Sequence, residues 1–328
     1  MGDICPILIK LKENFEPNGN MAASPEGKPK CPEHSRPIEK GECVMSVGLV
    51  LEGGGTRGAY TSGVLDVFNE NRIVFPVVYG ISAGACNALS YISGQVGRNF
   101  RIFYDYIQDD RYMSVASLRK TGNLFGFDFI FGELSHKLLP FDYQAFFASP
   151  IQLMTGTTDL HTGDAIFWGK EDLDEGFTPV RASSAMPFVS KIVAYQGYEL
   201  LDGSYSTSIP LQRSLDDGNA RNVVVLTRDA SYRKGTRSEY PRTALRRIYG
   251  KYPRFIEAVQ RRPQVYNCEL DLCSQQEREG KAVLIRPSKP IPVGRYEKNP
   301  ERLKQAYEMG RKDAERKLPQ VRALLAQG

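Results

Sequence analysis

A short apolar run, Val47, Leu49 and Leu51 with Val50 between them, ends abruptly in three consecutive glycines, Gly53-Gly54-Gly55. A continuous apolar segment of this length bounded by glycine reads as a parallel strand buried on both faces. The spacing of Val64, Leu65 and Phe68 predicts a helix over 56–71, and Ile73 to Tyr79 reads as a second strand. Together they make one β-α-β unit, with a further helix expected from Ala83 onward. Later strand candidates are 152–157, 165–168, 191–195, 223–227 and 282–285, with helix candidates between several of them. Asn299-Pro300 is a good cap followed by a good first helical residue, so a charged helix is expected from there to about Arg316. No repeat of fixed period is present. The expected fold is α/β, three layers α/β/α, with a mostly parallel central sheet.

The chain has 328 residues and an ordinary apolar fraction, enough for a sizeable core. Residues 1–43 are rich in Pro, Gly, Lys and Glu without periodicity and read as a disordered leader, with Met45 a plausible alternative start. Residues 44–215 read as the catalytic domain, and 216–328 as a C-terminal extension packed on it. No run approaches the roughly 18 to 20 apolar residues of a membrane span, and no secretory signal is indicated. The Met1-Gly2 start fails the myristoylation pattern because Pro6 stands where Ser or Thr is needed. A cytoplasmic chain, peripheral at the membrane, is the expectation.

Six scattered cysteines form no disulfide framework. Cys31, His34 and Cys43 supply only three loosely spaced ligands, so no metal is expected. Charge is uneven: between Arg233 and Arg262 ten basic residues stand against Glu239 and Glu257, a local +8 in a chain whose net is +5. Tyr240, Tyr249, Tyr252 and Phe255 are interleaved with them. Two readings stay open for residues 233–262, a solvated helical face and a surface for anionic membrane. Nucleic acid is not expected, and protein partners are left open. The stretch from Phe100 to Phe147 is aromatic, with Phe125, Phe127, Phe129 and Phe131 at every second position. An extended segment would put all four rings on one face, either as an acyl-chain wall or as plain core.

Gly53-Gly54-Gly55-Thr56-Arg57-Gly58 matches G-x-G-x-x-G after a strand, as a dinucleotide fingerprint would. That reading needs a carboxylate about 20 positions on, at the end of the second strand. The chain has Tyr79-Gly80-Ile81-Ser82 there instead. Gly80-Ile81-Ser82-Ala83-Gly84 is a G-x-S-x-G pentapeptide between strand and helix, where a nucleophilic serine sits on a sharp turn and Gly80 and Gly84 allow close packing. Backbone amides at a glycine-rich turn entering a helix are unsatisfied and positively polarised, so Gly53, Gly54 and Gly55 suit an oxyanion hole, with Arg57 adding charge or shape. His34, His136 and His161 are poorly placed to act as the base of Ser82. Asp202, ending a short apolar segment beside Gly203, is the better candidate.

These motifs, in this order, resemble the patatin-like phospholipase family, which has a G-G-G-x-[RK]-G loop, a G-x-S-x-G nucleophile and an Asp-Gly-[Gly/Ala] base. The resemblance spans about residues 47–215 and extends weakly to the last helix. It puts the oxyanion loop on Gly53 to Gly58, the nucleophile on Ser82 and the base on Asp202, a dyad without histidine. Ala182-Ser183-Ser184-Ala185-Met186-Pro187 is similar to the family's A-S-x-A-x-P stretch. Ser204 departs from the family's Gly or Ala, which bears on access to the site.

The resemblance implies a lipid acyl hydrolase of the phospholipase A, lysophospholipase or carboxylesterase kind, acting on a lipid or fatty-acyl ester through an acyl-enzyme and needing no cofactor. The alternative from another class is a non-catalytic protein of the same fold that binds lipid or membrane.

Overall fold

The computed structural model describes residues 47–327. The leader and the Cys31, His34 and Cys43 group lie outside the described residues. Strand β1 (Val47–Leu51) is buried throughout, because it has a strand on each edge and a hydrophobic core against each face. Its odd residues Val47, Leu49 and Leu51 join one core with Val64, Phe68 and Val223, while Val50 joins a second with Tyr79, Val224, Tyr266 and Leu284. This is how a period-2 strand reads when helices cover both faces.

The chain continues through a 3-10 turn (Gly55–Arg57), helix α1 (Gly58–Glu70), β2 (Val77–Ile81) and α2 (Ala83–Ile92). Helices α3 (Arg98–Tyr106) and α4 (Val115–Thr121) lead to a π-helix (Phe129–Leu138) and α5 (Tyr143–Ala148). Strands β3 (Gln152–Asp159) and β4 (Ala165–Trp168), helix α6 (Thr178–Ser183) and the hairpin β5 (Val193–Tyr195) and β6 (Tyr198–Asp202) follow. After α7 (Leu211–Asp216) come β7 (Arg221–Val225), α8 (Arg242–Tyr249), α9 (Pro253–Arg278), β8 (Ala282–Ile285) and α10 (Pro300–Leu325). The sheet runs β5-β6-β3-β2-β1-β7-β8, parallel from β3 to β8, with β4 and β6 antiparallel to β3. The expected three-layer, mostly parallel architecture is the one observed.

Two expectations are corrected. The segment from Phe129 is a π-helix rather than an extended stretch, and the last helix runs through Pro319 to Leu325 instead of ending near Arg316. Val321 and Leu324 are buried, and that packing carries the final turns past the lost hydrogen bond at Pro319.

Helices α1 and α10 cross where two glycines meet opposing backbone. A Cβ on Gly63 would lie 2.1 Å from the Tyr307 carbonyl oxygen, and one on Gly310 would lie 2.1 Å from that of Tyr60. The Tyr60 hydroxyl donates to Asp313 (3.1 Å), and the Tyr307 hydroxyl donates to Asp66 (2.8 Å).

Candidate active site

The sheet brings the two polar candidates together through β3. Ile81, at the end of β2, stands opposite Gly156, and the next residue along β3, Thr157, stands opposite Asp202 at the end of β6. Ser82 therefore leaves the sheet beside Asp202, although 120 positions separate them in the chain. Its backbone sits at φ 53° and ψ −121°, a strained conformation for a residue with a side chain. The surroundings hold it there. The Ser82 amide donates to the Ser183 hydroxyl (2.8 Å), which in turn donates to the Gly156 carbonyl (2.6 Å). A Cβ on Gly84 would lie 2.5 Å from the Leu51 carbonyl oxygen, and one on Gly80 would lie 2.6 Å from the Ala85 Cα. The turn is closed to anything larger than glycine at both places.

Asp202 is buried, and one carboxylate oxygen accepts the Ser204 amide at 2.8 Å. Burial pushes the carboxyl above the usual carboxylate range. Hydrogen bonds from Ser204, the Arg262 charge and a hydrogen bond from the Ser82 side chain pull the other way without cancelling it.

The glycine loop divides by function. The Gly53 amide donates to the Ser208 carbonyl (3.3 Å), the Thr56 amide to Arg295 (3.1 Å) and the Arg57 amide to Gly54 (3.3 Å). Among the described residues the amides of Gly54 and Gly55 meet no protein acceptor, which narrows the candidate oxyanion donors to those two. Gly58 serves packing: its carbonyl accepts from Asn87 at 2.9 Å, and a Cβ there would come within 3.0 Å of the Ala83 Cβ. The Arg57 guanidinium is buried, and it is not part of the cavity wall described next.

Ser82 and Gly55 sit in the wall of a cavity of about 100 Å3, partly open to solvent, whose remaining lining is mainly apolar. Phe125, Phe127 and Phe131 reach it, with Phe103, Phe141 and Met186, while Phe129 does not. Phe129 packs instead against Tyr106 and beneath the Arg111 guanidinium, 4.4 Å from its ring centroid. Cys86 also lines the cavity, but burial pushes its thiol up to about 11, away from thiolate chemistry. Neither described histidine lines it: His161 pairs with Glu199 (2.8 Å) and His136 stacks on Tyr143.

Helix α9 braces the segment after Asp202 through two side chains two turns apart. Arg262 donates to the Ser204 carbonyl (2.6 Å) and hydroxyl (3.1 Å) and to Glu239 (2.7 Å). Glu269 accepts the Thr207 hydroxyl (2.6 Å) and the amides of Ser208 and Ile209 (3.1 Å each). Burial raises the Glu269 carboxyl to about 7. The Ser204 hydroxyl that departs from the family pattern thus has a partner. Ser183 lies in the 182–187 stretch, where the resemblance gave it no role; Arg262 stood out only as one cation of the basic stretch and is buried rather than at the surface, and nothing local in the sequence marked Glu269.

The fold and this serine elbow define a class: an α/β protein with a strained serine turn facing an apolar cavity. A model of the patatin-like phospholipase family matches residues 49–214, just over half of the chain, and the chain belongs to that family. A second model, a domain of unknown function, matches residues 252–326. The chain is 28% identical over 206 residues to the uncharacterized protein YjjU of Escherichia coli, covering 58% of this chain and 54% of that protein. It is 26% identical over 191 residues to lysophospholipase NTE1 of Debaryomyces hansenii, covering 53% of this chain and 11% of the other. The chain thus spans about half the length of the first relative and about a tenth of the second. Among solved structures, VipD from Legionella pneumophila aligns with 96% of this chain and 73% of its own, at 13% identity and a TM-score of 0.49.

Proposed function

We propose that the protein is a lipid acyl hydrolase in which Ser82 is the nucleophile and Asp202 its base. Asp202 takes the Ser82 hydroxyl proton as the oxygen attacks the ester carbonyl, and the Gly54 and Gly55 amides receive the oxyanion. The departing alkoxide takes the proton back and leaves an acyl-enzyme. Water then attacks the acyl carbonyl, giving its proton to Asp202, and Ser82 departs with that proton as the fatty acid is released. A carboxylate of ordinary basicity is a poor base at neutral pH, and the burial of Asp202 compensates for the missing histidine.

The observation that carries the reading is the strained Ser82 elbow in the wall of an apolar cavity, brought by the register of β2, β3 and β6 beside the buried carboxylate of Asp202. The test is labelling with a fluorophosphonate probe together with ester turnover. Native protein is expected to label, Ser82→Ala to lose the label, and Asp202→Asn to lose turnover by a factor on the order of 100 to 10,000. A folded native protein that neither labels nor cleaves esters would favour the lipid-binding alternative.

Peripheral membrane contact is part of the proposal. Helix α8 exposes Arg242, Arg246 and Arg247 beside Ile248, itself 58% exposed, and its Tyr249 hydroxyl accepts from the Phe188 amide (2.9 Å), two residues beyond the cavity-lining Met186. Cations around an exposed apolar residue suit an anionic bilayer surface. No described helix is long and apolar enough to cross a membrane.

A further inference from the structure

The glycine loop has a second side, and cations crowd it. A Cβ on Gly54 would lie 3.0 Å from the Thr227 hydroxyl and 3.4 Å from the Arg57 Cβ, so the loop backbone runs between those two side chains. On Gly55 a Cβ would lie 2.8 Å from the Arg295 Cγ. Both Arg57 Nε and Thr227 Oγ1 are buried without a hydrogen-bond partner among the described residues. Arg57 is only 6% exposed, and an orphaned guanidinium nitrogen at such depth is costly unless something else takes its hydrogen.

The neighbouring carboxylates are already engaged. Glu52 accepts the Thr227 amide (2.5 Å) and the Tyr266 hydroxyl (2.9 Å), and Glu239 is bridged by Arg262 (2.7 Å) and Arg295 (2.6 Å). Arg228, next to Thr227, has no carboxylate in ion-pair contact among the described residues and lies over the Tyr232 ring, 4.3 Å from its centroid. Lys234 lies likewise over Tyr266 at 4.4 Å. Burial, then Arg228 and Arg295, bring the Arg57 guanidinium down to about 10, outweighing the opposing pull of Glu52.

We propose that Arg57, Arg228 and the Thr227 hydroxyl form a phosphate-binding subsite on the far side of the Gly54 turn, which takes an anionic head group while the acyl chain fills the cavity at Ser82. This rests on the hydrolase reading above and adds a substrate preference to it. Guanidinium groups bind phosphate oxygens with charge-assisted hydrogen bonds. The subsite favours a bare anion over a zwitterion, because the Tyr232 and Tyr266 faces that would hold a quaternary ammonium already carry Arg228 and Lys234. Both nearby carboxylates are spoken for as well.

The experiment has a binding arm and a turnover arm. Calorimetry on Ser82→Ala protein, which needs no catalysis, measures inorganic phosphate binding, expected to vanish when Arg228→Gln is added. Turnover compares lysophosphatidate, lysophosphatidylcholine and monoacylglycerol of one acyl chain. Native protein is expected to favour lysophosphatidate in kcat/KM by about tenfold or more, the worth of one good charge-assisted contact. In Arg228→Gln that advantage should disappear while the monoacylglycerol rate stays; Thr227→Val, which removes the other unpartnered group of the subsite, serves as a second variant if the first does not fold. Phosphate binding without ester preference would keep the anion site and assign it to free phosphate. The absence of both binding and preference would overturn the proposal, and intact monoacylglycerol turnover would then leave the hydrolase reading standing.

Discussion

In the proposed mechanism Asp202 is the residue on which pH acts. Its carboxyl is raised by burial, so the folded protein holds that proton to a higher pH than an exposed aspartate would. A base must be ionised, and activity is therefore expected to fall as pH drops through this raised value, with the acid limb of kcat/KM lying above the roughly 4 of a free aspartate. A pH-rate profile checks it; a limb at or below the free value would contradict the burial argument. Ser82 and Asp202 were readable from sequence because each sits beside small residues in a local motif. Ser183 was not: its hydroxyl matters only because folding puts Gly156 and the Ser82 amide on either side of it.

At the scale of elements, α9 acts on the base from a distance. Arg262 fixes Ser204, whose amide holds Asp202, and its charge also favours the ionised Asp202. Arg262→Gln should shift the acid limb to higher pH and lower stability by about 1 to 3 kcal/mol, as leaving the buried Ser204 carbonyl without its donor does. Arg262→Lys should lose stability but keep the limb, a split that a purely structural role would not produce. The phenylalanine run shows why a sequence pattern can mislead. Spacing of two also contains pairs four apart, so Phe127 and Phe131, with ring centroids 6.4 Å apart, meet on one helical turn while Phe129 points elsewhere. Phe127→Ala is expected to lower turnover of long-chain esters about tenfold more than that of short ones, as lost burial of a large side chain implies. Phe129→Ala should lower both equally, through stability; the comparison is kcat/KM on esters of two chain lengths.

Across the whole molecule, the parallel strands were legible because buried runs such as 47–51 and 282–285 are apolar without interruption. Strand β6 was read only as a short apolar segment, since its first two residues are half-buried and its pairing is set by a hairpin and by β3. The last helix was underestimated because its anchoring residues, Val321 and Leu324, lie beyond Pro319. The brace from α9 was invisible, because burial of Arg262 and Glu269 depends on contacts about 60 positions away.

The position of β1 carries a further consequence, for synthesis. The first of the described strands to leave the ribosome is flanked on one edge by β7, whose residues 221–225 come far later, and α1 waits for α10, which is made later still. Until then a bare apolar strand edge is open to pairing with any neighbour. Chains stopped at residue 215 are expected to aggregate or be cleaved readily in a pulse of protease, whereas full-length protein resists. A truncated chain that resisted equally would show that the front half matures alone. The edge of β1 is thus sealed only by segments made long after it.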